Sequence, residues 1–243
     1  MASRRSILLG SAALATFGGP ALAESNGPWA IELFTSQGCS SCPPADARLG
    51  QLARRPDIVA LSFHVNYWDY IGWKDRFATQ ETTARQHTYA RTLKQRYVYT
   101  PEMVVDGMAH DPGVTPGPID ALLVEARRRS PRRATPVLTR ASDGTLDISL
   151  ATFPLEGPAD VVLAVYDRRH ATPVRAGEND GRTLDNFNVV RRFETIARWN
   201  GETARWSVPA DRFAAGQGVA VLVQRSDQGA MLGCNKLEPT TTG

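Results

Sequence analysis

Trp29-Ala30-Ile31-Glu32-Leu33-Phe34 followed by Cys39-Ser40-Ser41-Cys42-Pro43-Pro44-Ala45-Asp46-Ala47-Arg48-Leu49 is the stretch whose reading decides the fold. The first run is a short, nearly unbroken apolar segment, as expected of a buried strand, and the second reads as the opening turns of a helix. Proline loses no intrahelical partner in the first turn, so Pro43 and Pro44 place the helix start directly at the cysteine pair. A helix N-terminus offers unpaired N–H groups and a partial positive charge, both of which favour a thiolate over a thiol. Cys39 is therefore expected to be the reactive sulfur, with Cys42 about one turn inward as the resolving one.

Downstream, Ile58 to Val65 is a near-continuous apolar run, the pattern of a central strand covered on both faces. Strand, helix, strand implies a parallel crossover unit, and ligands of such sheets gather outside the carboxyl ends of the strands, where Cys39 would lie. A helix is expected around Thr82 to Gln95 and another over Pro118 to Arg129. Between them, Val98 to Gly107 reads as an extended segment closing in a turn at Asp106-Gly107. Pro101 cannot donate to a strand ladder and belongs at a strand start, an edge or a cis bond.

Ser130-Pro131-Arg132-Arg133 reads as a linker, and beyond it strands and turns replace long helices. Leu146 to Leu150 alternates with period two, while Val161 to Tyr166 and Val219 to Val223 are short apolar runs punctuated by Gly and Pro, which suggests a small antiparallel sandwich. The expected domains are residues 24–131 and 132–243. Arg168-Arg169-His170 reads as a solvated turn.

The N-terminus carries Arg4-Arg5, an apolar run from Ile7 to Phe17 and Ala21-Leu22-Ala23 as a cleavage site, which together make an export signal over residues 1–23. That run is far shorter than the roughly 20 residues of a membrane span, so no stable span is expected after cleavage. Ser3-Arg4-Arg5-Ser6 resembles a twin-arginine signal, although paired arginines occur in ordinary signals too. The expected location is periplasmic or secreted, an oxidising space that permits disulfide chemistry. A net charge of +3 does not call for a nucleic-acid partner.

Glu32-Leu33-Phe34-Thr35-Ser36-Gln37-Gly38-Cys39-Ser40-Ser41-Cys42-Pro43-Pro44, the His64 to Trp73 segment and Tyr99-Thr100-Pro101-Glu102-Met103-Val104-Val105-Asp106-Gly107 together resemble a family of secreted bacterial thioredoxin-like proteins of unassigned function. The likeness extends to Gly177-Glu178-Asn179-Asp180-Gly181-Arg182 and Asn188-Val189-Val190-Arg191. It implies an α/β thioredoxin-like N-terminal domain, joined here to a small all-β sandwich-like C-terminal domain. It also makes Thr100-Pro101 the counterpart of a cis-proline that faces the cysteines and shapes a substrate groove. Ser40-Ser41 departs from the Gly-Pro of thioredoxins, which leaves the direction of electron flow open.

Glu32, inside an apolar strand, is a candidate proton relay for the resolving thiol, against the alternative that it points outward from an edge. Tyr67 and Trp68 are candidates for an apolar wall of the groove, against simple packing. His64 reads as a hydrogen-bonded structural residue; His87, His110 and His170 show no ligand spacing. Cys234 reads as a buried free thiol rather than an intermolecular partner. The expected activity is thiol–disulfide exchange with protein thiols or disulfides, drawing electrons from a redox partner protein, with no cofactor beyond a redox-active Cys39–Cys42 disulfide and no bound metal. The alternatives are a soft-metal (copper) carrier using the same two sulfurs and a binding protein with a purely structural disulfide.

Overall fold

In the computed structural model, residues 27–239 are described; the export signal expected over residues 1–23 lies outside them. Strand β1 (Trp29–Thr35), helix α1 (Pro43–Leu52) and strand β2 (Ile58–His64) form the expected unit. β1 and β2 pair in parallel from Trp29↔Ile58 to Thr35↔His64. Helix α2 (Gln80–Thr92) starts at Thr79, whose hydroxyl accepts from Thr82 N–H while Thr82 returns a bond to the Thr79 N–H. This capping box satisfies two donors that would otherwise be unpaired. Strands β3 (Glu102–Val105) and β4 (Ala109–Asp111) form a hairpin around Asp106 and Gly107, both left-handed, and helix α3 (Pro116–Arg129) follows. The Thr100–Pro101 bond is cis, and Pro101 stands immediately before β3.

The second half departs from expectation. β5 (Val137–Arg140), β6 (Leu146–Leu150) and β9 (Ala204–Val208) form a three-stranded antiparallel sheet. However, β7 (Ala159–Pro173), β8 (Thr183–Trp199), β10 (Gln217–Arg225) and β11 (Met231–Leu237) extend the first sheet. The result is one mixed eight-stranded sheet in the order β11-β10-β7-β8-β2-β1-β3-β4, joined across the halves where β2 meets β8 in parallel at Ser62↔Val189. A thioredoxin-like α/β domain beside a separate all-β sandwich is therefore not what the chain forms. The molecule is mostly β, with three α-helices among the described residues. The runs Val161–Tyr166 and Val219–Val223 are apolar on both sides because they are interior strands covered on both faces.

Period-two alternation distributes the core. Trp29, Ile31, Leu33, Ile58 and Ala60 face α1 and α3, packing on Leu49, Leu52, Ile119 and Leu123. Further along the same sheet, Val161, Leu163, Val219 and Val221 pack against Leu146, Ile148 and Leu150 of the small sheet. Ala30, Phe34, Val59, Leu61 and Phe63 point the other way, into a cluster with Tyr89 of α2, Tyr166, Leu222 and Cys234. The sheet coils until β11 meets β1 and the β3–β4 turn: Met231 N–H donates to Asp106 C=O at 2.8 Å, and Asp106 N–H to Ala30 C=O at 2.8 Å.

The segment read as a linker is anchored. Arg133 is fully buried at its side chain, forms a two-pronged ion pair with Asp106 at 2.6 and 2.7 Å, and lies 4.0 Å above the Trp29 ring. Arg168-Arg169-His170, read as a turn, lies inside β7. Among the described residues no helix is long and apolar enough to cross a membrane.

Candidate functional site

The chain leaves β1 at Thr35 and turns sharply: Cys39 N–H donates to Ser36 C=O at 3.1 Å and Cys42 N–H to Cys39 C=O at 3.2 Å. Cys42 is the N-cap of α1 and its carbonyl accepts from Ala45 and Asp46, so it begins the helix rather than lying one turn inside it. Cys39 stands three residues earlier, in the turn. The two form a disulfide with Cα atoms 5.4 Å apart. Both cysteines are 0% exposed, whereas Ser40 and Ser41 between them are exposed.

The cover comes from the other half of the chain. A short 3-10 turn, Gly177–Asn179, joins β7 to β8 and sits on the cysteine loop. Asn179 Nδ2 donates to the carbonyls of Gln37 at 3.0 Å and Cys39 at 2.9 Å, and Arg182 Nη1 fixes the amide by donating to its Oδ1 at 2.8 Å. Glu178 accepts from the Ser40 hydroxyl at 2.7 Å and the Ser40 N–H at 3.2 Å, bonds that hold its carboxyl below the usual range. Sequence reasoning gave this segment no role, since a Gly- and Asn-rich turn does not reveal where it lands.

The expected groove residues converge in part. A Cβ at Gly38 would lie 3.0 Å from Trp68 Cβ, so Trp68 packs at its Cβ directly on the turn preceding Cys39. Trp68 Nε1 donates to Thr100 Oγ1 at 2.8 Å, linking that turn to the cis Thr100–Pro101 bond. Tyr67 OH donates to Gln86 at 3.1 Å, and burial pushes its phenol up to about 12.

Glu32 is elsewhere. It points to the α2 face of the sheet, where Arg85 donates to it at 2.5 and 3.0 Å and the Tyr89 hydroxyl bonds it as well. Helix α1, with Cys42, lies on the opposite face. The relay role expected of Glu32 fails on this geometry, because alternation along β1 sends its carboxyl away from the disulfide.

A different acid lies on the disulfide's side. Asp46, 3% exposed in the first turn of α1, accepts from Thr35 Oγ1 at 3.2 Å. Burial pushes its carboxyl up to about 7, against the opposing pull of His64 and of the Thr35 and Asn186 side chains. Beside it His64, which ends β2, bonds Asp75 through Nδ1 at 2.6 Å, with both side chains wholly buried. Asp75 also accepts from Gln37 N–H at 2.8 Å and Phe77 N–H at 3.0 Å. Burial works to raise Asp75 and to lower His64, yet their mutual attraction outweighs it, so the carboxyl is held low and the imidazole high. The expectation of a hydrogen-bonded His64 is met in its bond to Asp75; Asp46 and Asp75 were missed as partners.

Cys234 is a buried free thiol whose Sγ donates to Pro28 C=O at 3.0 Å, and burial raises it to about 12. His110 bonds Tyr99 OH at 2.7 Å and His170 bonds Asp167 at 2.8 Å. Among the described residues no three His, Cys, Asp or Glu side chains converge to hold a metal.

Residues 30–224 match the profile of a family described as protein of unknown function (DUF1223). The chain belongs to this family. A crystal structure of a protein from Agrobacterium tumefaciens is similar at 32% identity and a TM-score of 0.78, over 88% of this chain and 96% of that one. HBP35 of Porphyromonas gingivalis shares the fold with a TM-score of 0.60 at 14% identity, over 89% of this chain and 78% of that one. No curated protein matches the chain.

Proposed function

We propose that this DUF1223 chain carries out thiol–disulfide exchange with protein substrates through Cys39 and Cys42, in an oxidising compartment outside the cytoplasm. The observation that carries the reading is the disulfide whose Cys42 half caps α1. The dipole of that helix end stabilises a leaving thiolate; its N–H groups add nothing, since Pro43 and Pro44 have none and those of Ala45 and Asp46 are committed to the Cys42 carbonyl. In the direction that oxidises a substrate, one substrate thiolate attacks Cys39 Sγ, the Cys39–Cys42 bond breaks and its electron pair leaves on Cys42. The second substrate thiolate then attacks the mixed disulfide and expels Cys39 as a thiolate. Two electrons have passed from the substrate dithiol to the pair, and a partner protein disulfide removes them; reduction of a substrate is the same sequence reversed.

Access requires the Gly177–Asn179 turn to move from Cys39, since both cysteines are fully covered. That same burial favours a second reading, a structural disulfide in a binding protein.

The reduction potential separates the two. Equilibrating the protein in thiol buffers and counting free thiols should give a value within the range of exchange proteins, above about −300 mV, whereas a structural disulfide falls below it. Cys42→Ser should also trap partner proteins through Cys39 in an exporting cell. A potential far below that limit, with no trapped partner, would overturn the exchange reading.

A further inference from the structure

Asp46 keeps one carboxyl oxygen idle in a place almost without solvent. Thr35 Oγ1 occupies Oδ2, while Oδ1 has no partner at hydrogen-bond distance among the described residues; the Asn186 side chain, whose Nδ2 is likewise unpartnered, is the other neutral group that acts on the carboxyl. An unsatisfied buried acceptor costs about 1–3 kcal/mol, and one retained in a native fold calls for an explanation.

Its position relative to Cys42 supplies one. The two are four residues apart at the start of α1, and Asp46 N–H donates to Cys42 C=O at 3.1 Å. Residues at that spacing share a helix face, and helical side chains lean toward the N-terminus, so the carboxyl leans over the turn that Cys42 begins. Behind it, His64 on β2 has its Nδ1 committed to Asp75 and its Nε2 unpartnered, and each of Asp46 and His64 acts on the other's charge. Arg191 of β8 opposes charge on His64. In front, a cleft of about 350 Å³ between α1 and β8 reaches Asp46 and is lined by Pro43, Arg54, Arg182, Asp185 and Phe187. A buried acid thus stands one helical turn from a cysteine and borders a cleft.

We infer that Asp46 is the proton carrier of the Cys39–Cys42 pair, exchanging its proton with solvent through the α1–β8 cleft. The inference rests on the exchange chemistry proposed above. When a thiolate attacks Cys39 Sγ and the disulfide breaks, the electron pair leaves on Cys42 Sγ, and the Asp46 carboxylic acid gives its proton to that sulfur and becomes a carboxylate. In the reverse direction, the carboxylate takes the Cys42 proton. The resulting thiolate then attacks Cys39 Sγ in the mixed disulfide and expels the substrate thiolate. The His64–Asp75 pair, fixed by the Gln37 and Phe77 N–H groups, sets the field in which Asp46 changes charge.

The test is the rate at which dithiothreitol reduces the disulfide of the full chain from about pH 5 to about pH 9, corrected for the thiolate fraction of the reagent. Wild type and Glu32→Gln should share an inflection near the Asp46 value of about 7. Asp46→Asn, which keeps an acceptor for Thr35, should lose the inflection and react about tenfold or more slowly on the acid side, the scale of a lost general acid. An Asp46→Asn profile that superimposes on wild type overturns the inference. Should the variant not fold, wild type decides on its own: infrared spectra of the oxidised protein should lose a carboxylic-acid band over the same pH range in which the reduction rate falls, and a band and a rate that titrate apart overturn the inference. A protein with an Asp46-dependent profile that never captures a partner through Cys42→Ser would lose the exchange reading and keep this one; capture with a flat profile would do the reverse.

Discussion

Asn179 donates its side-chain amide to the carbonyl of Cys39 across 140 residues of sequence, so the disulfide loop is held by a turn that belongs to the far half of the sheet. Because the same amide also serves Gln37, its loss strands two buried carbonyls. Asn179→Ala should destabilise the fold by about 1–3 kcal/mol. It should also speed reduction of the disulfide by a small thiol, because the cover is released. Urea midpoints and thiol-trapping kinetics measure the two effects; an unchanged trapping rate would show that Asn179 does not guard the sulfurs.

Asp46 and His64 make stability pH-dependent with a definite sign. Asp46 keeps its proton up to about 7 in the fold, whereas an unfolded aspartate releases it near 4. The folded state therefore binds more protons within that window. Stability from this group is complete below about 4, falls as pH rises and is gone above about 7. The raised His64 adds a contribution present below about 6.5 and lost as pH climbs through its folded value, while the lowered Asp75 contributes above about 4 and weakens on acidification. Asp46→Asn should flatten the decline between about pH 4 and 7 by an amount on the order of a few kcal/mol. Urea midpoints across that range check it, and a variant with the wild-type slope would refute the assignment.

Arg133 and Asp106 form a wholly buried pair. Removing one member leaves an uncompensated charge, so Arg133→Met should cost about 3–5 kcal/mol. Adding Asp106→Asn removes that charge and tolerates the left-handed backbone there, with φ at +52°. The double variant should regain at least half of the loss. Strictly additive costs would mean that the pair is not coupled.

At Gly233 on β11, an added Cβ would lie 2.1 Å from the Ala134 carbonyl oxygen and 2.4 Å from its carbon. Both are backbone atoms, and Ala134 N–H donates to Leu232 C=O at 2.8 Å, so neither side yields easily. Gly233→Ala should cost about 1–3 kcal/mol by overpacking. A neutral result in chemical denaturation would show that this crossing is loose.

Part of this was legible in the residues. Apolar runs around a Pro-Pro helix start specified β1, α1 and β2, and a helix was legible over Pro118 to Arg129, within α3. The partner of β2 was not legible, because periodicity reports which face of a strand is buried and not which strand lies beside it; the join at Ser62↔Val189 spans most of the chain. Arg168-Arg169-His170, in the outer half of β7, reads as a solvated turn because that arm extends beyond the apolar core. Arg133 stood in a segment that reads as a linker, and its meeting with Asp106 is what distinguishes it from its neighbours. Glu32 misled for a similar reason: a carboxylate in an apolar strand indicates a buried partner, but not the face on which that partner waits.

The join between β2 and β8 also fixes an order of assembly. Cys39 precedes Asn179, which helps to cover it, by 140 residues, so in an oxidising space the pair can be joined before that turn closes over it. Until β8 arrives, β2 is an open edge with unpaired backbone groups, the kind of surface that recruits other chains. The two halves of the chain are therefore one unit in the finished fold, and the first is closed only when the second arrives.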